Sequence, residues 1–213
     1  MTRKFLSALG AGLAAVPLLV GKADAIPTNI EGSAGGGLVP WALLAPGAPL
    51  VSYTNLKTND FQFQSIAIGG TLWKRIELSY SQQILDAPTV GTALDLDERI
   101  TQNVIGAKYK LWDANSKNAL PTVAVGVQLK SASGKILDAL QTAGAITGKS
   151  GTDYYLAATK IFKVSATTVV FNGTLRATES NQFGLLGFGG GSLNGNTYYK
   201  LAPGAGSGPR SIG

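Results

Sequence analysis

Four segments of the chain alternate apolar and polar residues with a period of two, which is typical of a β-strand with two unlike faces. In the first of them the apolar face consists of Ile76, Leu78, Tyr80 and Ile84. The four segments are residues 75–85, 99–112, 121–131 and 168–178. Three less regular stretches follow the same pattern: residues 48–57, 60–72 and 152–163. The sequence therefore predicts seven strands.

The length and the polar faces of these strands favour a membrane barrel over a soluble sheet. The clear segments run for about 10 to 12 residues, close to the length of a tilted membrane-spanning strand. Their polar faces mix small and charged residues, as in a hydrated lumen. Short and long connections alternate along the chain, starting with a tight turn at Trp73–Lys74, as in outer-membrane barrels; the brief connection at 57–60 is the exception. We expect an all-β fold, an antiparallel up-and-down transmembrane β-barrel over residues 48–178.

The odd strand number predicts that this barrel is incomplete. Seven strands leave two sheet edges open, and unpaired backbone groups in lipid cost several kcal/mol each. As written, the chain is expected to form a partial barrel or to need a partner.

The polar faces supply charged residues that would face a lumen. This inward set comprises Arg75, Glu77, Lys108, Lys110, Lys130, Lys160 and Arg176. Residues 152–163 fit either register, and Lys160 is placed inward because a charge that faces lipid costs about 2–4 kcal/mol. If the protein conducts, the set predicts a mild preference for anions. The alternative is that these charges pair with one another in a closed lumen.

The N-terminus has the three regions of a secretory signal peptide. A basic start, an apolar stretch and the small-x-small sequence at 23–25 occur in order, so residues 1–25 are predicted to be removed; a retained anchor helix is the alternative. Export predicts an outer-membrane location, with the periplasm as the alternative.

In the Gly/Pro-rich segment 26–47, Gly35–Gly37 could let the chain bend into or under a barrel, with Trp41 near a membrane interface. A plain flexible linker is the other interpretation.

Composition narrows the chemistry. The 213-residue chain has neither cysteine nor histidine, which excludes disulfide scaffolds, Cys/His zinc sites and histidine-dependent nucleophiles. Removal of Arg3, Lys4, Lys22 and Asp24 with the leader lowers the formal net charge from +6 to +4, too little to indicate nucleic acid.

Two local motifs were weighed as binding sites. The sequence AGAITGKS at 143–150 resembles a phosphate-binding loop, but a short helix precedes it and a strand follows it, the reverse of the order that such a loop requires. Asp95, Asp97 and Glu98 could bind a hard cation such as calcium, yet an acidic, solvated loop is the simpler interpretation. We therefore expect no nucleotide, no cofactor and no metal.

Several segments resemble a known family: EGSAGGGLVPWALLA, RIELSYSQQ, VAVGVQLK, DYYLAATKIF and above all NGTLRATESNQFGLLGFGGG. The family is an uncharacterised domain of unknown function of exported proteobacterial proteins that look like outer-membrane β-barrels, and the resemblance covers about residues 30–191. It implies a barrel-like fold and an envelope location, and it carries over no site residue. Family members continue into further strands, so residues 179–213 are interpreted as a Gly-rich loop and an irregular tail, truncated or frame-shifted.

These observations predict a non-enzymatic outer-membrane protein, either structural or a narrow, porin-like channel, whose partner is membrane lipid. The alternative is a soluble periplasmic β-sheet protein that binds a lipid or small apolar ligand, with its apolar rows facing a dry interior. An envelope hydrolase has only the acidic loop in its favour. The sequence does not set the oligomeric state.

Overall fold

The computed structural model describes residues 18–20, 28–97, 99–114, 120–164 and 167–189. Most of the predicted signal peptide and the tail from residue 190 onward lie outside the described residues.

Three short strands come first: β1 (Leu18–Val20), β2 (Gly35–Gly36) and β3 (Val39–Pro40). The seven long strands that follow are β4 (Leu50–Lys57), β5 (Gln62–Leu72), β6 (Ile76–Asp86), β7 (Arg99–Trp112), β8 (Thr122–Ser133), β9 (Ser150–Val164) and β10 (Thr167–Ala177). Two helices, α1 (Pro88–Leu94) and α2 (Lys135–Thr142), and a 3-10 turn at Asn181–Gly184 lie between or after them. The seven predicted strands all occur, each with ends within two residues of the prediction.

The long strands form one antiparallel sheet in which each strand pairs with the next along the chain, from β4 to β10. The sheet is curled into a half-barrel. β1 pairs with the outer edge of β10, and β1 lies within the segment predicted to be removed as a leader. The predicted all-β, antiparallel, up-and-down topology is confirmed at this level.

The two faces of the sheet have opposite polarity. Large apolar side chains at alternate positions point outward from the convex face; Ile105, for example, is 58% exposed and Leu129 is 53% exposed. The concave face buries polar and charged side chains, among them Glu77, Lys108 and Lys130. The apolar rows therefore face outward, and they do not pack against one another across a dry centre.

The end of the sheet that carries the longer loops is capped by a small apolar cluster. Its members come from the ends of β7 and β8, from α2, from the 143–149 loop and from the segment after β10: Ile100, Ala132, Ile136, Leu137, Ile146 and Phe188. The Phe188 ring packs against Gly151, where an added Cβ would lie 2.3 Å from the ring. The motif FGLLGFG thus supplies the ring that closes this end. α2 was predicted, whereas α1 lies in a stretch predicted as loop.

The opposite end of β5 and β6 is closed by a tight turn at the predicted position. Arg75 N–H donates to Leu72 O at 3.1 Å across it, and Trp73 and Lys74 both have left-handed backbones, with φ of 48° and 59°. No helix among the described residues has both the length and the apolarity required to span a bilayer.

The register of β9 differs from the prediction. Tyr155 is buried on the concave face because its ring lies over Gly126, its direct partner on β8, where no side chain competes for the space. Lys160 therefore lies on the opposite, convex face, where it pairs with the exposed Phe171. Its Nζ donates to Leu120 O at 3.2 Å. The inward placement of Lys160 is therefore wrong, and its amine reaches the end of the sheet instead.

We predict that Gly126→Ala destabilises the fold by about 1–3 kcal/mol, because a Cβ at this position would lie 2.1 Å from Tyr155 Cζ. Gly70→Ala is the matched control, since the nearest atom to its Cβ would be 3.8 Å away. Equilibrium denaturation of both variants measures the difference. Equal midpoints would mean that Tyr155 does not occupy the place assigned to it.

Candidate functional site

The concave face is filled by the chain's own N-terminal segment, residues 28–46, called the plug below. Asn29 starts it: its Oδ1 accepts hydrogen bonds from the N–H groups of Glu31 at 3.1 Å and Ser33 at 3.0 Å, which tightens the chain into a turn. The hairpin of β2 and β3 follows, with the Trp41 ring lying over Gly36. Trp41 is 6% exposed, so it packs inside the protein and does not lie at an interface. Of the two interpretations of this glycine-rich segment, the bend under the sheet is the one observed.

Glu31 is the centre of a buried charge cluster. Its carboxylate is held by both guanidinium nitrogens of Arg176, with Nη2 to Oε2 at 2.6 Å and Nη1 to Oε1 at 3.1 Å. Lys130 Nζ donates to Glu31 Oε1 as well. All three side chains are buried. A bidentate arginine–carboxylate pair of this kind is directional as well as strong.

Asp153 completes the cluster on the sheet side. Its Oδ2 lies 2.8 Å from Lys130 Nζ and 3.6 Å from Arg176 Nη1. Its Oδ1 accepts hydrogen bonds from Thr178 and Ser180, in the segment that follows β10. Asp153 therefore connects the two buried cations to the chain that leaves the sheet.

A second buried ion pair lies nearer the turn end. Lys108 Nζ is 2.9 Å from Glu77 Oε1, and both side chains are 1% exposed. Glu77 also accepts from the plug, through Ser33 Oγ at 2.7 Å and Ala45 N–H at 2.6 Å. Lys108 in turn donates to the plug carbonyls of Ala34 at 3.0 Å and Leu43 at 2.9 Å. This ion pair therefore holds the plug backbone from both sides.

Neutral side chains from the other strands extend the same pattern. On β5 and β6, Ser65 Oγ and Gln83 Nε2 both donate to Ile30 O, at 2.8 and 2.9 Å. On β10, Thr174 Oγ1 donates to Pro40 O at 2.8 Å. Each of the six strands from β5 to β10 therefore contributes a polar side chain that bonds the plug directly.

The predicted inward residues fall into two groups. Glu77, Lys108, Lys130 and Arg176 are buried and belong to the network. Arg75 and Lys110 do not: Arg75 is exposed in the 73–75 turn, because the strand begins one residue later, and Lys110 lies near the sheet end, where its Nζ pairs with Asp113 at 2.6 Å. Lys160 lies on the convex face, as described above.

The sequence prediction missed the two acids that balance the cations. Glu31 lies in a Gly-rich segment with no periodicity, and Asp153 was assigned to the wrong face together with the rest of β9. The missing signal was charge balance: three buried cations on the sheet require three buried anions. Glu31, Glu77 and Asp153 supply them.

Groups of both candidate motifs form hydrogen bonds or ion pairs within the chain. In the AGAITGKS loop, the Thr147 and Gly148 N–H groups both donate to Phe188 O, and Lys149 Nζ pairs with Asp138 at 2.5 Å. Asp97 accepts from Arg99 N–H, and Glu98 lies outside the described residues. Among the described residues, no group of three or more His, Cys, Asp or Glu side chains could hold a metal ion.

The ionisation of Glu31 depends on its partners. Burial alone would raise the pKa of this carboxyl, but the charges and hydrogen bonds of Arg176 and Lys130 outweigh burial and lower the pKa from 4.5 to about 2. A carboxyl whose pKa is lowered in the folded state stabilises that state above its unfolded pKa. The stabilisation is lost as the pH falls from 4.5 towards 2.

We predict that acidification from pH 4.5 to 2 removes on the order of 3 kcal/mol from the free energy of unfolding through Glu31. Denaturant titrations across this range measure the effect. In Glu31→Gln this component disappears, because the side chain no longer titrates. Asp138→Asn, which breaks the exposed pair with Lys149, is the control and keeps the wild-type slope. An unchanged acid slope in Glu31→Gln would contradict the assignment.

Comparison with known proteins gives a family. No curated protein and no solved structure matches the chain. A family model described as "Protein of unknown function (DUF3034)" matches residues 25–207, which include the plug, all seven long strands and the FGLLGFG motif. The chain belongs to the DUF3034 family.

Proposed function

We propose that this protein is a non-enzymatic, structural β-sheet protein of the outer membrane, with its convex face in lipid and its concave face closed by the plug. The observation that carries the proposal is the polarity of the sheet. A soluble protein rarely exposes a continuous apolar surface of more than a few hundred Å², and seven neighbouring strands here expose apolar side chains on one face.

Cross-strand pairing makes this apolar surface continuous. Leu175 pairs with Leu156, Leu156 with Val125, and Val125 with Tyr109 across four neighbouring strands. A second row parallel to it contains Leu129, Ile105 and Tyr80. Strands that alternate apolar-out and polar-in are the signature of outer-membrane barrels.

The buried charges support a structural role over a channel. The network contains three acids and three bases in direct contact, so its formal charge cancels. The sequence predicted a mild anion preference if the protein conducts, and such a preference would need unpaired cations facing the lumen. With the plug in place, the polar side chains of the network bond the chain itself.

If the convex face contacts lipid, the open edges of the half-barrel must be covered as well. β4 pairs with β5 alone among the described residues. Unpaired strand edges are not tolerated in hydrocarbon, so the proposal requires further strands at this edge, from the same chain or from another.

We predict that Leu78→Lys lowers the stability of the lipid-reconstituted protein by about 2–4 kcal/mol, the cost of a lysine on a lipid-facing strand near mid-membrane. Leu78 is 48% exposed on the convex face, so the same change in water would cost little. Ser133→Lys, at the polar end of β8, is the matched control. Denaturant titration in phospholipid vesicles gives both values. Equal effects would contradict the membrane proposal and favour the soluble alternative.

A further inference from the structure

The convex face changes polarity along the strands in an ordered way. On three neighbouring strands, Leu129 pairs with Ile105 and Ile105 pairs with Tyr80, which makes an apolar row. Two residues further towards the loop end, Ser131 pairs with Asn103 and Asn103 pairs with Gln82. On these three strands the second row is polar and uncharged, and it continues into the apolar Ile66 and Tyr53 on β5 and β4.

Charges appear on these strands only beyond the uncharged row. In the next row Thr101 pairs with Ser133 on one side and with the apolar Ile84 on the other, and Arg99 and Asp86 follow, joined by a salt bridge of 2.8 Å at the strand ends. On β7 the order from the middle of the sheet towards the loops is therefore apolar, then amide and hydroxyl, then charged, and β6 differs from it at Ile84. This is the order of environments that a strand meets when it leaves hydrocarbon through the headgroup layer.

Tyr80 gives an independent indication of the same boundary. Its ring belongs to the apolar row, but its hydroxyl donates to Asn103 Oδ1 at 2.9 Å, in the polar row. Gln82 Nε2 donates to the same oxygen at 3.3 Å. A tyrosine with its ring in the apolar layer and its hydroxyl in the polar layer is typical of membrane–water interfaces.

The other end of the apolar band has its own markers. Trp73 is 81% exposed in the turn between β5 and β6, and Trp112 is 48% exposed at the end of β7. Lys160 Nζ reaches Leu120 O at that end, so its charge lies away from the middle of the band. Along β8 the apolar face from Val123 to Leu129 covers about 20 Å at ~3.4 Å per residue. An outer-membrane apolar band is about 25 Å tall.

We propose that the row formed by Gln82, Asn103 and Ser131 contacts lipid headgroups, and that the hydrocarbon layer ends between this row and the row formed by Tyr80, Ile105 and Leu129. This inference rests on the proposed membrane function and adds the position of the sheet in the bilayer. The amide and hydroxyl groups of the row suit the ester and hydroxyl groups of headgroups. The turn with Trp73 then lies at the opposite interface.

Single cysteines in the cysteine-free chain test the boundary. Ala107→Cys, Ile105→Cys, Asn103→Cys and Thr101→Cys sample the convex side of β7, and each variant carries a nitroxide label in phosphatidylcholine/phosphatidylglycerol vesicles. Power saturation with oxygen, which concentrates in hydrocarbon, and with a neutral nickel complex, which stays in water, reports the depth of each label. We expect the oxygen-to-nickel accessibility ratio to fall several-fold between residues 105 and 101.

A second series of labels, on β8, checks that the result does not depend on one label with an unusual conformation. Val127→Cys, Leu129→Cys, Ser131→Cys and Ser133→Cys must place the same fall between residues 129 and 133. A fall at a different row, or a high ratio through residue 101, overturns the boundary and leaves the membrane function standing. Uniformly high nickel accessibility at residues 105, 107, 127 and 129 overturns both.

Discussion

Burial of the Glu31 carboxylate between Arg176 and Lys130 is the interaction on which the rest of the structure depends. A buried cation without a partner is strongly unfavourable, and Asp153 on β9 supplies one anion for these two bases, so a second anion is needed to keep both of them on the concave face. The plug supplies it. In the same way Glu77 on β6 accepts hydrogen bonds from N–H groups of the plug, and Lys108 on β7 donates to its carbonyls.

This arrangement reverses the usual distribution of polarity. The concave interior is held by ion pairs and hydrogen bonds, and the largest buried apolar cluster lies at one end, under α2 and Phe188. The apolar side chains that would make a core in a soluble sandwich are on the outside. In the proposed membrane location, this polarity places the apolar convex face in hydrocarbon and keeps the polar plug away from it.

Much of the fold could be predicted from the sequence. Period-two alternation predicted seven strands and the tight turn at Trp73–Lys74, because side chains on a strand must alternate between faces. The length of the strands and their mixed polar faces predicted that the apolar rows point outward. β9 could not be resolved in this way, since Tyr154 and Tyr155 are both aromatic and only the absence of a side chain at Gly126 decides which of them is buried. Glu31 could not be found by periodicity either, because the plug is neither helix nor long strand.

A double-mutant cycle between Glu31 and Arg176 tests the central claim, that the plug is seated by this ion pair, most directly. The free energy of unfolding is measured for the wild type, Glu31→Gln, Arg176→Met and the double variant. The contact predicts a coupling energy of about 1–3 kcal/mol, with the double variant less damaged than the sum of the single changes. Additive effects, with no coupling beyond error, would contradict the seating of Glu31 against Arg176.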